Sequence, residues 1–113
     1  MAKQPLVHIR RTTTGILSGF TQEVGTEVTI ESISIVNNNS SGQATVINIY
    51  KDDGGSTFDE TTRIFRRAVS NTSTVTADVL HYLSSEGIGQ IAVEAETADD
   101  ITFIIEGKVE FLT

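Results

Sequence analysis

The chain has no cysteine and no tryptophan, one proline, one methionine and two histidines in 113 residues. Each shortage closes a class of function. Without cysteine there is no disulfide framework and no thiolate metal site. His8 and His81 lie far apart in the sequence, and two imidazoles alone do not complete a zinc shell. No stretch approaches the roughly 18 apolar residues of a membrane-spanning helix. The first residues, Met1-Ala2-Lys3-Gln4-Pro5, do not read as a signal peptide and lead to Arg10 and Arg11. Cations are also scarce in one half. Residues 68–113 carry Lys108 against eight acids, whereas residues 1–67 carry seven of each sign. The whole net charge of −7 therefore sits in the last 46 residues. Such a surface repels phosphate backbones, so nucleic acid is not an expected partner. It suits solubility, or charge complementarity between subunits.

What the chain does have is sheet-forming residues. Serine and threonine together number 26, and Val and Ile alternate with polar residues from Val28 to Val109. Length predicts one domain with a single core. Val28 to Val36 reads as the strongest strand. Val28 and Ile30 share one phase and Ile33 and Ile35 the other, so a β-bulge is expected near Glu31-Ser32. Asn37 to Gly42 reads as a hairpin loop. Ala44 to Tyr50 is apolar on both faces, as in a central strand. Thr61 to Val69 interleaves Arg63, Arg66 and Arg67 with Ile64 and Phe65, the mark of a sheet edge or a partner-facing strand. Asp78 to Ser84 fits a helical turn or an extended strand equally. Ile91, Val93 and Ala95, then Ile101, Phe103 and Ile105, alternate with polar residues. Seven or eight short strands with turns every 8–12 residues predict an all-β, antiparallel, jelly-roll-like β-sandwich. Residues 1–27 are interrupted by Gly15, Gly19 and Gly25 and read as an N-terminal arm holding a short strand, with the sandwich over residues 28–113.

Catalysis finds no support. No serine stands in a G-x-S-x-G elbow, and Asp99-Asp100 reads as a turn. Catalytic residues, metal ligands and cofactors are therefore all expected to be none. The Asp52-Asp53-Gly54-Gly55 loop with Asp59 or Glu60 has oxygen ligands for calcium but lacks the EF-hand pattern. Three matches to the glycosylation sequon, at Asn38, Asn39 and Asn71, read as coincidence in an Asn/Ser-rich chain. A glycan-binding module would have to stack sugars on Tyr50, Tyr82 or Phe58. The Arg63–Arg67 strand reads either as a charged, solvated edge or as a subunit contact, with Phe65 as anchor and the arginines gripping carboxylates.

Three segments carry a family resemblance. They are Thr29-Ile30-Glu31-Ser32-Ile33-Ser34-Ile35-Val36-Asn37, then Ala44-Thr45-Val46-Ile47-Asn48-Ile49-Tyr50, and last Ile91 to Ala95 with Asp100 to Gly107. Together they resemble small β-sandwich virion proteins of tailed bacteriophages. Where those proteins carry a Gly-Asp turn, this chain has Glu86-Gly87-Ile88-Gly89-Gln90. The resemblance implies a structural protein of the virion, most of all a capsid decoration (cement) protein bridging capsid subunits. A head–tail or tail component is the alternative within that class. The implied partners are a major capsid protein or another virion protein, and further copies of the chain, with a trimer favoured. Neither nucleic acid nor membrane is implied. The interface residues expected are Lys3, Arg10 and Arg11 on the arm, and Arg63, Phe65, Arg66 and Arg67.

Overall fold

A computed structural model describes residues 3–39, 42–83, 88–97 and 100–112. Eight strands occur among them: β1 (Gln4–Arg11), β2 (Gly15–Thr21), β3 (Thr26–Asn37), β4 (Thr45–Asp52), β5 (Arg63–Val69), β6 (Thr74–Leu83), β7 (Gln90–Ala95) and β8 (Ile101–Phe111). They form two antiparallel four-stranded sheets, ordered β1-β8-β3-β6 and β2-β7-β4-β5. Apart from β4 and β5, consecutive strands alternate between the sheets. This is the jelly roll, two Greek keys folded into a sandwich, and it agrees with the fold class read from the alternation.

The core lies between the sheets because each strand turns its Val/Ile phase inward. Val28, Ile30, Ile33 and Ile35 from β3 meet Ile101, Phe103 and Ile105 from β8 across the sandwich from Ile47, Ile49, Ile91 and Val93, all fully buried. Each such side chain contributes roughly 1.5–3 kcal/mol relative to exposure. The expected bulge is present: β3 changes register between Ile30 and Ser32 against both β6 and β8. It switches the buried phase, so that Ile30 and Ile33 both face the core. Gly107 stands opposite Ile30. A Cβ there would lie 1.8 Å from the Thr29 carbonyl oxygen, so only glycine lets β8 pass the bulge.

Three parts differ from the sequence reading. Residues 4–21 are integral to the sandwich, β1 on the edge of one sheet and β2 on the edge of the other, and do not form an arm. Leu6 and Val7 are buried, and Ile9 and Phe20 pack on the core, so leaving the fold would cost that apolar burial. Of the glycines that looked like interruptions, Gly19 serves close approach: a Cβ on it would sit 2.6 Å from Ile9 Cδ1 and 3.1 Å from Val7 Cγ1. Second, the polar segment after Asn37 is not a hairpin loop, because β3 and β4 lie in different sheets. Asn37 is buried there and ties the crossover down. Its side-chain amide donates to the Val69 and Gln43 carbonyls, and its Oδ1 accepts from Asn39 N–H. Third, Asp78 to Leu83 is extended within β6, with Val79, His81 and Leu83 in the inward phase; Ser84 falls outside the described residues. Cross-strand partners on β3 fix that choice, which local spacing left open.

Candidate functional site

The most organised polar cluster lies on the outer face of the β2-β7-β4-β5 sheet. Alternation turns Asn48 and Tyr50 of β4 outward while Ile47 and Ile49 turn inward, yet Asn48 is 1% and Tyr50 5% exposed. Their neighbours explain it. Asn48 Nδ2 donates to Glu94 Oε1 at 2.9 Å and to Glu96 Oε2 at 2.6 Å. The Tyr50 hydroxyl donates to Glu94 Oε1 at 2.7 Å. Arg66 of β5 donates from Nη1 to Asn48 Oδ1 at 3.0 Å and to Glu96 Oε2. Phe58, in the loop between β4 and β5, lies against the Tyr50 ring with centroids 6.3 Å apart. Burial, then the hydrogen bond to Glu94, pushes the Tyr50 phenol up to about 12. The Asn48 amide, with Arg66 beside it, holds Glu96 below the usual glutamate range.

Chemically this cluster is a tie. Its two carboxylates are answered by an amide, a phenol and a guanidinium, and it joins β4, β5 and β7 across the sheet. Among the described residues no three His, Asp or Glu side chains converge as metal ligands. Two of the acids weighed for calcium, Asp52 and Asp59, cap their own loop. Asp52 accepts from the Gly54 and Thr57 amides, and Asp59 from the Thr61 amide and hydroxyl. Among the described residues no helix is long and apolar enough to cross a membrane. The two tyrosines do not form one platform: Tyr50 is covered on one sheet, and Tyr82, 52% exposed, stands on the outer side of the other.

The interface residues expected from sequence are not brought to one place. β1 runs from Gln4 to Arg11, so Lys3, just before it, and Arg11 stand roughly 25 Å apart at opposite ends of the strand. Arg10 makes a bidentate pair with Asp100, at 2.8 and 2.9 Å, which pushes Arg10 up and Asp100 down from their ordinary values. Arg11 donates to the carbonyls of Thr14 and Gly15. Gly19 brings β2 against β1, which leaves β5 on the opposite lateral edge. There Arg63 and Arg67 are exposed and make no ion pair among the described residues. Phe65 is half-buried. The register shift between Ile49 and Tyr50 aligns it with Ile49, and it packs on this chain's own core.

Sequence reasoning missed the Asn48–Tyr50–Glu94–Glu96 network. Its members were visible, since Asn48, Tyr50 and Glu94 occupy the outward phase of β4 and β7 and Glu96 follows β7 directly, but their meeting was not. Two surface grooves also escaped it. One, of about 410 Å³, is lined by Gln4, Phe20, Thr21, Glu23, Val109 and Phe111. The other, of about 490 Å³, lies over Glu27, Thr29, Lys108 and Glu110.

No family model matches the sequence, and no curated protein matches it. Solved structures do resemble the fold. A chain from the Bacillus endospore appendages, described as a novel family of disulfide-linked pili, matches with a TM-score of 0.57 at 12% identity, over 99% of this chain and 88% of that one. A chain of infectious bursal disease virus, Gx strain, matches with a TM-score of 0.55 at 9% identity, and this protein spans only 32% of its length. A chain from the acid-stable capsid of the Helicobacter pylori bacteriophage KHP30 matches with a TM-score of 0.51 at 18% identity, over 98% of this chain and 94% of that one. At such identities the likeness establishes the architecture: this chain is a single jelly roll of a kind found in viral and phage capsids and in a pilus.

Proposed function

We propose that this protein is a structural component of a phage virion, a capsid decoration protein that reinforces the head by bridging capsid subunits. The observation that carries the reading is the match to a phage capsid chain over nearly the whole length of both proteins. Two features of the molecule support it. Its Asn48–Glu94–Glu96 cluster is internally satisfied and serves to stiffen a sheet. Its exposed groups suit contact: Arg63 and Arg67 form a basic edge on an otherwise acidic chain, and Arg favours bidentate contact with carboxylates of a partner. Arg66, Arg10 and Arg11 spend donors within the chain and hold the contact surfaces in shape, while Lys3 is exposed at the other end.

The test is the composition of purified particles. Heads separated from tails should contain the chain in fixed ratio to the major capsid protein, and Arg63→Glu with Arg67→Glu should lower that ratio. Recovery with tails supports the head–tail alternative. Recovery only as free protein overturns the virion reading. A filament subunit is a second reading, favoured by the pilus match. The disulfide linkage named for those pili is not available to a chain without cysteine, so such a filament would need non-covalent joints. Electron microscopy of the purified protein separates filaments from discrete particles.

A further inference from the structure

We propose that two copies of this chain pair through β2, antiparallel about a twofold axis, so that their β2-β7-β4-β5 sheets join into one continuous eight-stranded sheet. The inference concerns self-association and stands apart from the virion reading.

An edge strand offers unpaired N–H and C=O groups to any other strand, and edges are guarded by charge, proline, bulges or inward-facing cations. The two sheets expose four edges: β1, β6, β2 and β5. β1 holds Pro5, Arg10 and Arg11, and has a register shift between Pro5 and Val7. β5 holds three arginines and a register shift. β6 carries the exposed Asp78 at mid-strand, and Lys51 Nζ, reaching over from β4, already donates to the Tyr82 carbonyl. β2 reads Gly-Ile-Leu-Ser-Gly-Phe-Thr, with no charge and no proline. It also exposes apolar side chains on both sides of the sheet. Ile16, 42% exposed, lies opposite Glu94 on the outer face, and Leu17, 37% exposed, lies opposite Val93 on the inner.

Charge selects a second copy as the occupant. Each chain carries −7, so like chains approach best where charge is least. Pairing β5 with its own image about its centre sets Arg66 against Arg66 with Arg63 and Arg67 beside it, and β1 is broken by Pro5 and its register shift. β2 against β2 brings no like charges together. The nearest acid, Glu94, has Oε1 engaged by Asn48 and Tyr50 of β4, on the side of β7 away from the edge. An antiparallel arrangement about an axis near Ile16-Leu17 is self-complementary, as a twofold contact must be. Gly19, where the register shifts and β2 is held against β1, ends the flat segment. The seam therefore covers Gly15 to Ser18, and the dimer is weak and concentration-dependent. It stands in place of the trimer that the family resemblance implies.

The absence of native cysteine makes the test clean. Sedimentation equilibrium of the full chain should show a monomer–dimer equilibrium. Ile16→Lys and Leu17→Lys should each weaken it by about tenfold or more, with unchanged thermal unfolding of the monomer. Single variants Ile16→Cys, Leu17→Cys and Ser18→Cys, oxidised under native conditions, should include at least one that links efficiently, since residues at the axis come within disulfide reach. Leu80→Cys on β6 and Val24→Cys at one end, both more exposed than Ile16 and Leu17, are the controls and should lag. A monomer at every concentration overturns the proposal. So does a dimer indifferent to both lysine variants, or fastest linkage through Leu80→Cys or Val24→Cys. Particle composition has no bearing on these outcomes, so this pairing and the virion role fail separately.

Discussion

The two sheets bury the same kind of residue inward and solve their outer faces differently. The β1-β8-β3-β6 sheet has long strands, 8 to 12 residues, and its outer face is acidic and solvated. Glu27 faces Glu110 directly across β3 and β8, and Lys108, two residues along β8 and opposite Thr29, pairs loosely with Glu31 at 3.6 Å. Like charges in opposition cost a sheet some stability, so this one relies on its core and on long ladders. The β2-β7-β4-β5 sheet has strands of 6 to 8 residues and adds a half-buried hydrogen-bond network across three of them. Short ladders are thus compensated by side-chain ties, and long ladders leave the outer face free to carry charge.

The largest test of this contrast removes one strand from each sheet. Deleting residues 1–21 takes away β1 and β2 and uncovers β8 and β7, so cooperative folding should be lost, as read by circular dichroism and thermal melting. A stable, cooperatively folding remainder would restore the view of this region as a dispensable arm. Next in size is Gly107→Val in the long-stranded sheet. Its Cβ collides with the Thr29 carbonyl, and urea unfolding should show a loss of at least about 3 kcal/mol. In the short-stranded sheet, Asn48→Ala should cost about 2 kcal/mol, because it strands Glu94, Glu96 and Arg66 without their shared amide. An effect near zero would show that the network is ornamental and that both sheets rest on the core alone.

The smallest effect is in pH. Glu96 has a folded-state pKa below its ordinary value, through Asn48 first and then Arg66. Its contribution is therefore complete above the ordinary glutamate range and is lost as pH falls through the lowered folded value. Denaturation midpoints should drop on acidification through that window, and less steeply in Arg66→Ala. Equal slopes in the two proteins would remove Arg66 from the tie and leave Asn48 as the partner that holds Glu96.

The bulge at Glu31 was legible because two runs of isoleucine, Val28-Ile30 and Ile33-Ile35, cannot share one core without a change of phase. The β5 edge was legible because arginines on both faces cannot be interior. The Arg63–Arg67 cluster was legible as a basic edge, but the inward seating of Phe65 was not, since it depends on a register shift against β4. Likewise the tie at Asn48 joins residues 46 and 48 positions apart, and no local pattern marks which outward residues will meet.

By itself, then, the amino-acid order determined which residues face inward, where the phase changes and that the product is an all-β sandwich, because side-chain alternation is a property of neighbouring residues along one strand. Which strands become neighbours was decided only by the folded chain: that residues 4–21 close both sheets, that Asn37 anchors a crossover, and that β2 is left as the edge without charge or proline. Those outcomes follow from long-range pairing, where burial of the whole core selects one strand order among many that the same alternation permits.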